Sequence, residues 1–201
     1  NGVAAQGVAA GLPGCRATTD LAEALQSPEV QMVLIGTRHD THADLAIRSL
    51  RAGKAVLVEK PMCLTPGEFE DLRRALDETQ APFTVGYNRR FSPHARAVRR
   101  LVERRINPLM IHYTMNAGYI PYNHWTQTAE GGGRIVGEGC HILDLFRYLV
   151  GHPAESLSVD TLRPATDAVR ASDNRVITVR YADGSVCTLL YTATEIGRAH
   201  V

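Results

Sequence analysis

No apolar run in the 201-residue chain approaches the roughly 20 residues that a membrane-crossing helix needs, so no membrane partner is expected. Charge of one sign is missing too. The formal net charge is +1, which leaves no basic field to draw in a nucleic acid or an anionic surface. There is no C-x-x-C pair. Cys15, Cys63, Cys140 and Cys187 are scattered, and they read as reduced thiols of a cytoplasmic protein rather than a disulfide framework or a metal site. Residues 1–10 lack the basic start and apolar stretch of a signal peptide. Internal repeats and low-complexity segments are absent. What remains, 44% hydrophobic and 21% charged residues, is an ordinary globular composition, long enough for one large core or two small ones.

The first half alternates short apolar runs with helical patterns. Asp20 and Glu23 have capping-box spacing at the start of a helix over 21–26. Residues 31–36 and 54–59 suit buried parallel strands. Between them a helix opens at Asp40 or Thr41 and is stopped by Gly53. Thr65, Pro66 and Glu68 form the cap, first position and box of another helix, to about residue 78, and a strand follows at 82–87. Strand, helix, strand, helix, strand implies a parallel sheet with right-handed crossovers, covered on both faces.

Past Asn88 the pattern changes. A helix is expected over 93–104, a strand over 109–115, a helix over 140–150, and strands over 156–162, 175–181 and 186–192. Asp183-Gly184 is a hairpin signal between the last two. The expected organisation is α/β over residues 1–88, then an α+β domain over 89–194 with an open, mostly antiparallel sheet.

Four segments could carry chemistry. Glu59-Lys60-Pro61 stands at a strand's C-terminal end, where ligands of open α/β sheets bind; on spacing alone it reads first as a surface turn with a solvated lysine. Thr37, His39 and His42 follow the preceding strand and could meet a phosphate or ring at a helix N-terminus, or simply cap that helix. A zinc site from the two histidines lacks a third ligand, and no metal is expected. Asn88 and Arg89 could face a cleft and bind anionic groups, or form a solvated turn. Gly131-Gly132-Gly133 leads into Glu138, His141 and Asp144. His141 and Asp144 share one helix face, with Ile142, Leu145 and Leu149 anchoring the other. A rigidly held imidazole at a cleft mouth suits general acid–base work; a buried, satisfied histidine behind a flexible glycine loop is the alternative.

Taken in order, Val33-Leu34-Ile35-Gly36-Thr37 with His42, Val58-Glu59-Lys60-Pro61-Met62, Val85 to Phe91, and Gly131 to Leu145 resemble the glucose–fructose oxidoreductase and inositol dehydrogenase (Gfo/Idh/MocA) family over about residues 15–192. The resemblance implies a partial Rossmann domain followed by an α/β substrate domain. It also implies NAD or NADP, a sugar, nucleotide-sugar or cyclitol substrate, and a homo-oligomer formed through the C-terminal sheet. Carried over, Lys60 and His141 are the catalytic pair. Thr37, His39, His42, Glu59, Lys60 and Pro61 line the cofactor, and Asn88, Arg89, Glu138 and Asp144 line the substrate. Other activities on such a scaffold are an NAD-using glycosidase or a non-catalytic sugar-binding protein.

The chain departs from the family in two ways. Many of its dehydrogenases carry an aspartate four residues before the histidine, where this chain has Gly137. No G-x-G-x-x-G phosphate loop is present, so the chain is expected to lack its first Rossmann strands and to be inactive by itself. Residues 195–201 match the translation of a common sequencing adapter and are expected to be an artificial tail.

Overall fold

A computed structural model describes residues 2–166 and 169–193; the tail expected at 195–201 lies outside them. Two sheets, each with its own core cluster, organise the chain. The first is parallel, in the order β1 (Met32–Ile35), β2 (Ala55–Val58), β3 (Phe83–Val85). Two short helices, α1 (Gly2–Ala10) and α2 (Leu21–Gln26), precede it, and α3 (His42–Arg51) and α4 (Pro66–Thr79) connect its strands. Ile35, Val56 and Val58 meet Ala46 and Leu50 of α3 and Leu72 and Ala75 of α4. Burying such a side chain fully contributes about 1.5–3 kcal/mol.

The expected cover on both faces is not what the structure has. On the opposite face Met32 is 57% and Leu34 66% exposed. β1 is an edge strand, and no described element covers that side of it.

Local signals explain the ends. Thr65 accepts from Glu68 N while Glu68 returns to Thr65 N, so the capping box closes and sets the start of α4. The box expected at Asp20 does not close. Asp20 accepts from Ala22 N, and Glu23 is taken by the Thr18 hydroxyl at 2.7 Å. Neither Asp40 nor Thr41 caps α3 with its side chain: residues 39–41 form a 3₁₀ turn instead, and the Thr41 hydroxyl donates to Arg38 O.

The second sheet follows α5 (Pro93–Val102). Its order is β4 (Met110–Asn116), β7 (Val186–Thr192), β6 (Arg175–Tyr181), β5 (Ala154–Thr161). Its β6–β7 and β5–β6 pairings are antiparallel, and β4 lies parallel to β7. Gly184, at φ 85, makes the hairpin turn. Alternate residues Ile177, Val179, Tyr181, Cys187, Leu189 and Tyr191 point to one face, where α6 (Cys140–Val150) lays Ile142, Phe146 and Val150. Phe146, rather than the expected Leu145, is fully buried. One turn of π-helix, Ile135–Gly139, runs directly into α6.

Candidate active site

The C-terminal ends of β1, β2 and β3 lie side by side. Glu59 N donates to Ile35 O and Gly86 N to Val58 O, both at 2.8 Å, so the loops leaving the three strands begin at one edge. His42 ties two of these loops together. Its ring is 1% exposed, with Nδ1 2.8 Å from Pro61 O and Nε2 3.1 Å from Thr37 O. The Thr37 hydroxyl, at the surface, pairs with that of Thr41. The Glu59 carboxylate accepts from Lys60 N and lies against Gly86, where a Cβ would approach Oε2 to 2.9 Å. Glycine at 86 therefore makes room for that carboxylate.

The π-turn faces this edge. Lys60 Nζ donates to Gly137 O at 3.0 Å. Four residues further on, His141 is 8% exposed, its ring edge-on to Tyr87 at 6.2 Å between centroids. Its Nδ1 is buried without a hydrogen-bond partner. Burial first, then the positive charges of Lys60 and Arg89, hold the imidazole below its ordinary pKa. The ring is thus neutral at pH 7, with one nitrogen able to take a proton. The neighbouring Cys140 is pushed up to about 11 by burial and stays a thiol. Tyr87 is raised well above the ordinary phenol value by burial, so it is a neutral hydroxyl.

Of the residues that sequence reasoning groups, His42 contacts Thr37 and Pro61, Glu59 contacts Lys60, and Lys60 reaches the turn before His141. The other five candidates are placed differently. His39 is engaged by the glycine turn: its Nδ1 lies 2.9 Å from Gly131 O, and its ring packs edge-on to Trp125. Arg38 beside it pairs with Glu130 at 3.0 Å and stacks on Trp125. Glu138 accepts from Tyr191 Oη at 2.7 Å and lies near Arg134. Asp144 holds Arg90 through both carboxylate oxygens. Arg89 donates to Tyr113 Oη at 3.3 Å, and Asn88 is exposed at the start of a 3₁₀ turn. Among the described residues no three His, Cys, Asp or Glu side chains gather as a metal site. No described helix is long and apolar enough to cross a membrane.

Sequence reasoning misses Trp125, and it misses the approach of the Gly131 turn to His39. Their loop is remote in sequence from His39, and only the three glycines hinted at its closeness. Gly132 and Gly133 both have positive φ, and a Cβ at Gly131 would fall 2.3 Å from Thr126 Cα. The glycine run is therefore a tightly folded turn, not the flexible loop weighed above.

A nicotinamide dinucleotide can be tested against these groups. The Thr37 hydroxyl, the Lys60 ammonium and the neutral His141 imidazole form a polar set that fits the ring end of such a cofactor. The chain has no glycine-rich phosphate loop to set beside them.

Residues 3–87 match the oxidoreductase family with an NAD-binding Rossmann fold, and residues 96–199 match the GFO/IDH/MocA C-terminal domain. The inositol 2-dehydrogenase of Rhizobium meliloti (strain 1021) is 35% identical over 152 residues, covering 74% of this chain and 45% of that protein. Inositol 2-dehydrogenase 2 of Paenarthrobacter aurescens (strain TC1) is 31% identical over 204 residues, covering 96% and 60%. The chain thus spans about half the length of these relatives. Among solved structures, GenD2 from gentamicin A biosynthesis, in complex with NAD, superposes with a TM-score of 0.77 at 27% identity, over 97% of this chain and 57% of that one. With one family domain matched on each half, in the order in which the two sheets occur, the chain belongs to the GFO/IDH/MocA oxidoreductase family.

Proposed function

We propose that the protein is an NAD(P)-dependent dehydrogenase acting on a hydroxyl of a cyclitol or sugar, with Lys60 and His141 at the reacting oxygen. The observation that carries this reading is their convergence. Lys60 is held on the backbone of the π-turn that leads to His141, and His141 presents a neutral, buried ring with an unpartnered nitrogen. The relatives named as inositol 2-dehydrogenases support the substrate class.

When bound, the nicotinamide supplies a two-electron acceptor for the hydrogen on the carbinol carbon. The chain's own residues handle the oxygen. The Lys60 ammonium donates a hydrogen bond to it and stabilises negative charge as the O–H bond breaks. His141 takes the hydroxyl proton as general base. Thr37, His42, Glu59 and Pro61 shape the cofactor side. Asn88 and Arg89 stand on the substrate side, while Asp144 and Glu138 act at one remove by holding Arg90 and Tyr191.

The two matched regions support a division near Asn88 into a Rossmann domain and a substrate domain. The fully exposed strand β5, with Leu157 and Val159 bare on the core side of the sheet, supports a homo-oligomer through that sheet. The four free cysteines suit a cytoplasmic location.

The test is NAD(P)-linked oxidation of inositol isomers and simple sugars by the whole protein, beside Lys60→Ala and His141→Ala. Each substitution is expected to lower kcat by about 10²–10⁴-fold. Near-normal turnover in either variant overturns that residue's role.

A further inference from the structure

We infer that His39 is a positioning residue: its imidazole fills the side-chain space at position 137 and thereby sets the carbonyl that holds Lys60. For its effect on turnover this rests on the dehydrogenase reading above; the packing relationship stands apart from it.

Gly137 is buried, and its φ is not in the left-handed region, so backbone conformation does not require glycine there. Space does. A Cβ at 137 would lie 3.0 Å from His39 Cε1 and 3.6 Å from Nδ1. The ring has little freedom to yield. It is 8% exposed, its Nδ1 is engaged by Gly131 O at 2.9 Å, Trp125 packs edge-on with centroids 4.8 Å apart, and His42 lies 5.6 Å away. Burial and the charge of Lys60 keep this imidazole below its ordinary pKa, so a neutral ring sits beside the ammonium.

The backbone of the same residue carries the consequence. Gly137 N donates to Gly133 O at 3.0 Å, and Gly137 O accepts from Lys60 Nζ at 3.0 Å. A methyl group at 137 must therefore displace either the ring from the Gly131 turn or the π-turn from the lysine. Arg38–Glu130 and Asp40 N–Glu130 O hold the surrounding contact independently, so removing the His39 ring leaves the two halves joined.

The experiment compares the whole protein, as in the test above, with His39→Ala, Gly137→Ala and the double variant. Three quantities are read: kcat and KM for the best cyclitol, thermal midpoint, and the rate of reductive methylation of Lys60 followed by peptide mass spectrometry. Gly137→Ala is expected to lower kcat about tenfold with little change in KM, because a displaced lysine misplaces the bound reacting oxygen. It is also expected to speed Lys60 methylation. Added to His39→Ala, the same substitution should change kcat and Lys60 methylation little further, since the vacated ring space accepts the methyl group. Equal effects of Gly137→Ala with and without the His39 ring overturn the inference. If Gly137→Ala does not fold, a folded double variant supports the inference and an unfolded one overturns it. If no variant turns over any cyclitol, the dehydrogenase reading fails, while methylation and thermal midpoints still decide the packing.

Discussion

Lys60 Nζ and the carbonyl of Gly137 meet at 3.0 Å across 77 positions of sequence, and this bond joins the first sheet's loops to the helix carrying His141. Lys60→Met, which keeps the stem and removes the donor, should lower stability by about 0.5–1.5 kcal/mol in denaturant titrations. Lys60→Arg should keep most of that stability without restoring turnover, because a planar guanidinium cannot place a single charge where the ammonium stands. Full activity of Lys60→Arg would show that charge alone suffices.

The histidines set a pH dependence. His39 and His141 are both lowered, chiefly by burial, so below about pH 6.5 the unfolded chain binds protons that the folded chain does not. Stability should therefore fall as pH drops through that value, and the thermal midpoint should be lower at pH 5.5 than at pH 7.5. The acidic limb of kcat/KM should lie below about pH 6.5, where His141 finally protonates. A limb above the ordinary histidine range would contradict the assignment of His141 as base.

Asp144 tests a structural role against a substrate-binding one. Its carboxylate is buried against a partly exposed Arg90. Asp144→Ala leaves that arginine without its partner and should cost about 2 kcal/mol, discounted for the arginine's solvent contact. At a temperature where the variant is folded, KM should change little. A large KM increase with unchanged stability would return Asp144 to the substrate.

Gly86→Ala should be felt at Glu59. The added methyl would sit 2.9 Å from Oε2 and 3.0 Å from the carboxyl carbon, so the side chain must move. We expect a stability loss of about 1–3 kcal/mol and weaker dinucleotide binding by titration calorimetry. Gly86→Ala in a Glu59→Ala background should be nearly silent.

The elements easiest to read from the sequence were those whose signals are local. Thr65, Pro66 and Glu68 lie within four positions and close their own box; Asp183-Gly184 bends its own hairpin. Helical spacing points to Leu145 where the structure buries Phe146, and the π-turn before α6 has no simple sequence mark. That turn takes an extra residue, so helical spacing cannot be carried through it. The parallel pairing of β4 with β7 joins strands too far apart for pattern to register. At the site, Lys60 and His141 were legible because four segments recur in order. The destination of His39 was not, since it depends on the fold of a distant glycine turn. Gly137 was visible only as a departure from the family aspartate, and the His39 ring supplies its spatial reason.

The ties that assemble the site bridge 92 positions from His39 to Gly131, 77 from Lys60 to Gly137 and 54 from Arg90 to Asp144. The β6–β7 hairpin and the α4 cap close over a handful. Closing long loops costs entropy before any contact repays it, so during refolding the local pieces gain structure first. A chain that has already regained its helices and strands is still without a site. His141 acquires its neighbours only when the two halves dock.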